Sequence, residues 1–195
     1  EFLLSQLAGF FDSNMLVISA EPYDSAGTIL FQRLSVVVAD LMLAYGISVC
    51  HAALSDRIRN KEKCQEVAQT LTMLVFGNAG LLLVDHVHFQ YNGFLFGMWL
   101  ASIGAMLQGQ VIRASAWFVV LLNFKHIFLY AAPAYFVFLL RGYCFSNPRR
   151  FDFRDFSVVR LVKLGATVIA IFAVSFGPFV YHNRISDVVS RLFPF

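Results

Sequence analysis

Charge is scarce in this chain. Asp, Glu, Lys and Arg make up 14% of its 195 residues, where about a quarter is usual for a soluble domain. With 58% hydrophobic residues and a mean hydropathy of +0.67, that shortage excludes an ordinary water-soluble globule and points to a multi-span membrane protein. A net charge of +3 gives no sign of nucleic-acid binding. The three cysteines, Cys50, Cys64 and Cys144, have no ligand spacing, so neither structural zinc nor a disulfide is expected. No Asn-X-Ser/Thr acceptor occurs, which leaves no site for asparagine glycosylation. Absent too are an initiator Met, a basic leader and a cleavage signal. The chain opens at Glu1-Phe2 and closes at Leu192-Phe193-Pro194-Phe195, and it is expected to be an interior piece of a longer, single membrane domain.

What is abundant is apolar sequence in long runs: 34 to 54, 67 to 84, 93 to 107 and 162 to 181, with a fifth, 116 to 140, interrupted by Lys125 and His126. Spanning the hydrocarbon takes about 20 helical residues, so the shorter runs must extend through their polar ends or lean on neighbours. The connecting loops are basic: Arg57, Arg59, Lys61 and Lys63 in one, Arg113 in the next, then Arg141, Arg149, Arg150, Arg154, Arg160 and Lys163. The positive-inside rule places all three on the cytoplasmic face. The stretch 116 to 140 must therefore enter and return, as two short helices that meet near Lys125 and His126 or as a re-entrant pair. Residues 85 to 92, the tip at Lys125 and the segment after Pro178 then share the opposite face. Residues 1 to 18 place Leu3, Leu4, Leu7, Phe10 and Phe11 at helical spacing, the pattern of a helix lying on the membrane surface. A turn-rich stretch from Glu21 to Gly27 leads into the first span.

Polar chemistry concentrates in one knot between two apolar runs: Asp85, His86, His88, Gln90, Tyr91 and Asn92. A plain hydrated loop would favour Gly, Ser, Pro and Asn. Amides, imidazoles and aromatics together suit a sugar or a polar lipid head, with hydrogen bonds for hydroxyls and rings for the apolar face. A metal site is the alternative, but on a helix His86 and His88 point about 200° apart, and only an extended loop would bring both to one ion. Lys125 within membrane depth is costly unless it snorkels to the interface or meets an anion; a phosphate is the natural partner. Asp40, in the first span, reads as one half of a structural pair too deep for chemistry at the far surface. His51 reads as a helix-end dipole contact, and His182 as equally ordinary. Arg191 is either an interfacial anchor or a phosphate ligand.

The runs "DHVHFQYNGFLFG", "NFKHIFLYAAPAYFVFLLRGYCF" and "SRLFPF" resemble the endoplasmic-reticulum glucosyltransferases that extend the dolichol-linked oligosaccharide for asparagine-linked glycosylation, and the resemblance covers the whole chain. It implies an all-α, polytopic membrane protein with part of a GT-C type transmembrane helix bundle and a short luminal interfacial helix. Residues 1–27 would end the first luminal loop and 28–195 would be spans and connections. Gly93 after Asn92, and His126 after Lys125, are similar to the member that adds the second glucose; the member that adds the first has Ser and Gln there.

The resemblance further implies transfer of glucose from dolichyl-phosphate glucose to a dolichyl-pyrophosphate-linked oligosaccharide, at a site facing the lumen, with no metal or other cofactor and no nucleic acid. Membrane lipids are the remaining partners. The β-linked donor and α-linked product make the reaction a single inverting displacement, which needs a carboxylate base and groups that stabilise departing phosphate. The family's base lies ahead of Glu1, so no catalytic residue is assigned here. The knot is expected to contact sugar, Lys125, His126 and Arg191 to face the donor phosphate, and Asp85 to orient His86 or His88. Two other classes stay open. A polar-lipid transporter or flippase would show paired internal repeats, which are absent; a haem carrier needs His pairs at matching depth, and His51 stands at the end opposite His86, His88 and His126.

Overall fold

A computed structural model describes residues 2–18, 23–146 and 153–192. Arg149 and Arg150 of the third basic loop, Glu21 of the turn-rich stretch, and Phe193 and Phe195 lie outside the described residues. The described chain is helical, and its one β contact is an isolated bridge between Phe145 and Phe156.

The predicted surface helix is short. α1 (Phe2–Ala8) gives way to a 3-10 turn at Ser13–Leu16, and Asp12 makes the break. Its carboxylate accepts from Asn14 N at 2.9 Å, from Tyr23 Oη at 2.7 Å and from the Ser25 hydroxyl. Those donors, Ser25 foremost, hold the Asp12 carboxyl below the ordinary carboxylate range. Ser25 also caps α2 (Ala26–Arg57), accepting from Thr28 N at 3.1 Å. At 32 residues, α2 is about 48 Å long, well beyond the roughly 30 Å of a hydrocarbon core.

The chain returns through α3 (Lys61–Phe76), α4 (Ala79–Leu82) and a π turn at Leu83–Val87. Then α5 (Asn92–Leu107) descends and α6 (Val111–Phe124) ascends. At Lys125 the backbone is extended, with φ −149°, which ends α6 and turns the chain back through a 3-10 segment (His126–Ala131), α7 (Ala132–Leu139) and a second π turn (Leu140–Cys144). The interrupted stretch thus folds back on itself near Lys125, with Phe118 stacked on Tyr135 at 3.7 Å. α8 (Val158–Tyr181) and α9 (Ile185–Leu192) follow. Ala26–Arg57, Lys61–Val87, His126–Cys144 and Val158–Tyr181 are long and apolar enough to cross a membrane.

α5 is too short to span alone, and it packs along α2 and α6 instead. Small residues let it approach α2. A Cβ on Gly97 would lie 2.6 Å from Leu43 N and overlap the Met42 carbonyl, and one on Gly104 would lie 2.9 Å from Cys50 N. Between lipid-solvated helices, such backbone contact is a main source of association. The far end is pinned by the Arg57 guanidinium, which donates to Leu107 O at 2.7 and 3.2 Å. On its other face, Leu95 and Met98 of α5 join Phe118, Leu121, Phe128, Tyr135, Leu139 and Leu164 in one core. The 61–87 segment stands further off. His51 bridges to it, bonding Ala68 O at 2.9 Å and the Thr72 hydroxyl at 3.1 Å, so this residue joins two helices instead of merely meeting a dipole. All three cysteines are free thiols.

Candidate functional site

The knot is built by a change of helical register. Asn78 restarts the helix after α3 by accepting from Leu81 N at 2.9 Å. The π turn at Leu83–Val87 then turns Asp85 inward, where it is 2% exposed. Phe89, at φ 53°, takes the left-handed conformation that reverses the chain. The reversal brings the start of α5 back onto Asp85. Its Oδ1 accepts from Asn92 N at 3.1 Å and Asn92 Nδ2 at 2.9 Å, and its Oδ2 accepts from Gly93 N at 2.5 Å. A carboxylate at a helix N-terminus satisfies orphan N–H groups and complements the dipole. Asp85 is therefore the cap of α5.

The neighbouring polar residues divide into two sets. His86 Nε2 meets Asp40 Oδ2 at 3.1 Å, and Tyr91 Oη shares a hydrogen bond with Ser35 Oγ at 2.9 Å. Both contacts fasten the knot to α2. Asn92 also donates to Gln90 Oε1 at 3.0 Å, and its own Oδ1 accepts from Lys125 Nζ at 3.0 Å. Knot and hairpin tip, distant in sequence, thus touch. His88, Gln90, Lys125 and His126 are exposed, and Lys125 forms no ion pair among the described residues. Arg191 is exposed on α9, which packs on α8; among the described residues no hydrogen bond joins it to the knot.

Two features escaped the sequence reading. One is the partner of His86, expected to be Asp85 and found to be Asp40. From Arg57 at the basic end, Asp40 is about 25 Å along α2, nearly the hydrocarbon thickness, so it sits beside the knot and not deep beneath it. A Cβ on Gly93 would lie 3.2 Å from carboxylate oxygens of both Asp40 and Asp85, which shows how tightly the two acids flank the start of α5. The signal was present, because a carboxylate in a span is expensive. The other is the pair of clefts under the knot. One, of about 740 Å³, opens between the 61–87 segment and α5 and is lined by Leu74, Asn78, Leu81, Val84, Gln90, Asn92, Phe96 and Trp99. The second, of about 410 Å³, lies between α5 and the His126–Ala131 segment and adds Lys125, Ile127, Phe128 and Tyr130. Asn92, Phe96 and Trp99 belong to both.

The geometry is an apolar trough with a polar lip. Phe96, Trp99 and Phe128 form its aromatic wall, with Trp99 and Phe128 edge to face at 5.3 Å. Gln90, Asn92 and Lys125 supply an amide and ammonium rim. Such a surface suits a lipid chain whose head carries a phosphate or hydroxyls. Among the described residues, no three His, Cys, Asp or Glu side chains gather as a ligand set.

Over its full length the chain is 43% identical to the dolichyl pyrophosphate Glc1Man9GlcNAc2 alpha-1,3-glucosyltransferase of Bos taurus, of which it covers 38%. The proteins of the same name in Arabidopsis thaliana and Schizosaccharomyces pombe are 43% and 44% identical to it, again over the whole chain and over 36% and 37% of their own lengths. The chain thus spans less than two fifths of these relatives. The model of one glycosyltransferase family, ALG6 and ALG8, matches residues 1–195, and the chain belongs to that family.

Proposed function

We propose that the full-length protein transfers glucose from dolichyl-phosphate glucose to the singly glucosylated dolichyl-pyrophosphate oligosaccharide, with an α-1,3 linkage and inversion, at the luminal face of the endoplasmic reticulum membrane. The observation that carries this reading is the contact of Lys125 with Asn92 over two apolar clefts: a cation and amides at the mouth of a trough that fits a polyprenyl chain. The names of the relatives supply the acceptor and linkage, and the basic loops at the other end support the orientation.

In this reading the residues take distinct parts. The acceptor hydroxyl attacks the anomeric carbon as the bond to phosphate breaks, and negative charge grows on the departing dolichyl phosphate. Lys125 and His126, with Arg191 from α9, neutralise that charge; one well-placed group of this kind is worth about 3 kcal/mol of barrier. His88, Gln90 and Asn92 hold sugar hydroxyls. Asp85, His86 and Tyr91, each with a partner inside the bundle, keep the rim in place. Asp85 accepts three hydrogen bonds inside the bundle and is not the base in this reading; the family resemblance places the base that takes the hydroxyl proton ahead of Glu1, and this stretch alone is expected to be inactive.

The test is the lipid-linked oligosaccharide that accumulates when cells lack the protein. A glycan stalled with one glucose is expected. A glycan with none would assign the protein to the first addition, and an unchanged profile would remove the reading.

A further inference from the structure

The side-chain amide of Asn92 stands between an acid and a cation. One of its hydrogens goes to Asp85 Oδ1 at 2.9 Å and the other to Gln90 Oε1 at 3.0 Å, while its own Oδ1 accepts from Lys125 Nζ at 3.0 Å. An ionised carboxylate accepts and never donates, and an ammonium donates and never accepts. Turning the amide over would therefore set oxygen against oxygen at Asp85 and nitrogen against nitrogen at Lys125. The buried carboxylate fixes which edge of Asn92 faces the hairpin tip.

That edge matters because little else restrains the cation. The Lys125 side chain is exposed where α6 ends, and Asn92 is its one hydrogen-bond acceptor among the described residues. Left alone, a lysine side chain spreads over many rotamers. Asn92 does not move with it: it begins α5, whose first N–H groups are capped by Asp85, and α5 meets the backbone of α2 at Gly97. The contact also uses only one of the three ammonium N–H groups, so two stay open to a second acceptor. Asn92 and Lys125 both line the smaller cleft.

We propose that Asn92 is a positioning residue for Lys125: its amide, locked by Asp85, holds the ammonium at the mouth of the smaller cleft, where the two remaining N–H groups meet the departing phosphate of the lipid-linked sugar. This rests on the assignment of Lys125 to the donor phosphate, and it adds the means by which a long, flexible cation is kept in place. An acceptor alone is not enough. The residue must also donate on its other edge to be held by Asp85, and asparagine supplies both at this reach, whereas aspartate would set a second carboxylate against the first.

The test is a double-mutant cycle on purified full-length protein with dolichyl-phosphate glucose and the singly glucosylated acceptor, read in kcat and in the KM of each substrate. Asn92→Ala removes the amide but keeps the backbone N–H groups that Asp85 caps, so hydrogen–deuterium exchange over residues 92–95 is expected to stay near the wild-type level. Its kcat should fall about tenfold, the worth of one hydrogen bond to a charged group. The donor KM should change little, since the charge that Lys125 meets grows only as the bond breaks. Lys125→Ala should lower kcat about 100-fold, and adding Asn92→Ala to it should lower kcat no further. Asn92→Ser keeps a polar side chain, one atom too short for both contacts, and should repeat the tenfold loss, which keeps the cycle readable if the alanine variant folds poorly. Additive losses, about 1,000-fold in the double variant, would show that Asn92 acts without Lys125 and overturn the proposal. Unchanged kcat in both Asn92 variants, or faster exchange over 92–95 in both, would overturn it equally. Full activity in Lys125→Ala would instead remove the reading on which it rests.

Discussion

Asp85 is the residue for which the structure makes the sharpest claim, because a carboxylate in a glycosyltransferase invites a catalytic role and the geometry gives it a mechanical one. Removing its side chain in Asp85→Ala strips the acceptors from Asn92 N and Gly93 N in a place that is 2% exposed, where water does not readily replace them. Backbone hydrogen bonds to a charged acceptor contribute about 1.5 kcal/mol each at the low end, so losing two costs about 3 kcal/mol. That raises local opening of the first turn of α5 about 150-fold. Asp85→Asn retains one acceptor and is expected to raise opening only about tenfold. The assay is hydrogen–deuterium exchange on the full-length protein, followed in peptides covering 88–100. Exchange at Asn92 to Leu95 should accelerate in that order of variants, while peptides in α8 remain unchanged. Wild-type exchange in Asp85→Ala, together with abolished transfer, would refute the capping argument and make Asp85 a chemical participant.

Four further expectations rest on separate contacts. Lys125→Ala should lower transfer about 100-fold while membrane levels hold, since the side chain is exposed and its hydrogen bond among the described residues is to Asn92; full activity would remove it from the donor phosphate. Asp40→Asn and His86→Asn should each reduce transfer, and the double variant should be no worse than the more damaging single change, a non-additive cycle reporting their 3.1 Å contact; additive losses would show that the pair does not act as a unit. Gly97→Val should deplete folded protein on a size-exclusion trace, because even a methyl group meets the α2 backbone; normal yield would contradict the close crossing. Asp12 carries the pH dependence. Its lowered pKa means that its contribution is present above the ordinary carboxylate range and is lost as pH falls through its own lowered value. Limited proteolysis near Asp12 should therefore be unchanged between about pH 7 and pH 5 and increase only in stronger acid, and Asp12→Asn should be susceptible at all pH values.

Much of this architecture is legible in the residues, for reasons that can be named. Apolar runs and the Lys/Arg content of the loops are local signals, and they place the turn at Lys125 because two basic loops cannot be reconciled with a single crossing. The convergence of knot and hairpin tip follows from the same parity, and Asn92 touching Lys125 is its physical outcome. The internal wiring of the knot is a different matter. Asp85 reaches the start of α5 only because a π turn shifts its direction and Phe89 adopts a positive φ, and neither has a distinctive residue signature here. Asp40 reads as deep when the apolar window 34 to 54 is the span; α2 begins at Ala26, which moves the membrane boundary relative to that window. The surface helix ends at Ala8 although apolar spacing continues through Phe11, because Asp12 caps a new turn.

The central claim is that this family member adds glucose to an acceptor that already carries one. It is tested most directly with purified full-length protein, synthetic dolichyl-phosphate glucose labelled in the sugar, and two lipid-linked acceptors, one bearing a single glucose and the other none. Label transferred to the singly glucosylated acceptor alone, and lost in Lys125→Ala, is the predicted result. Transfer only to the acceptor without glucose, or none to either from this donor, would contradict it.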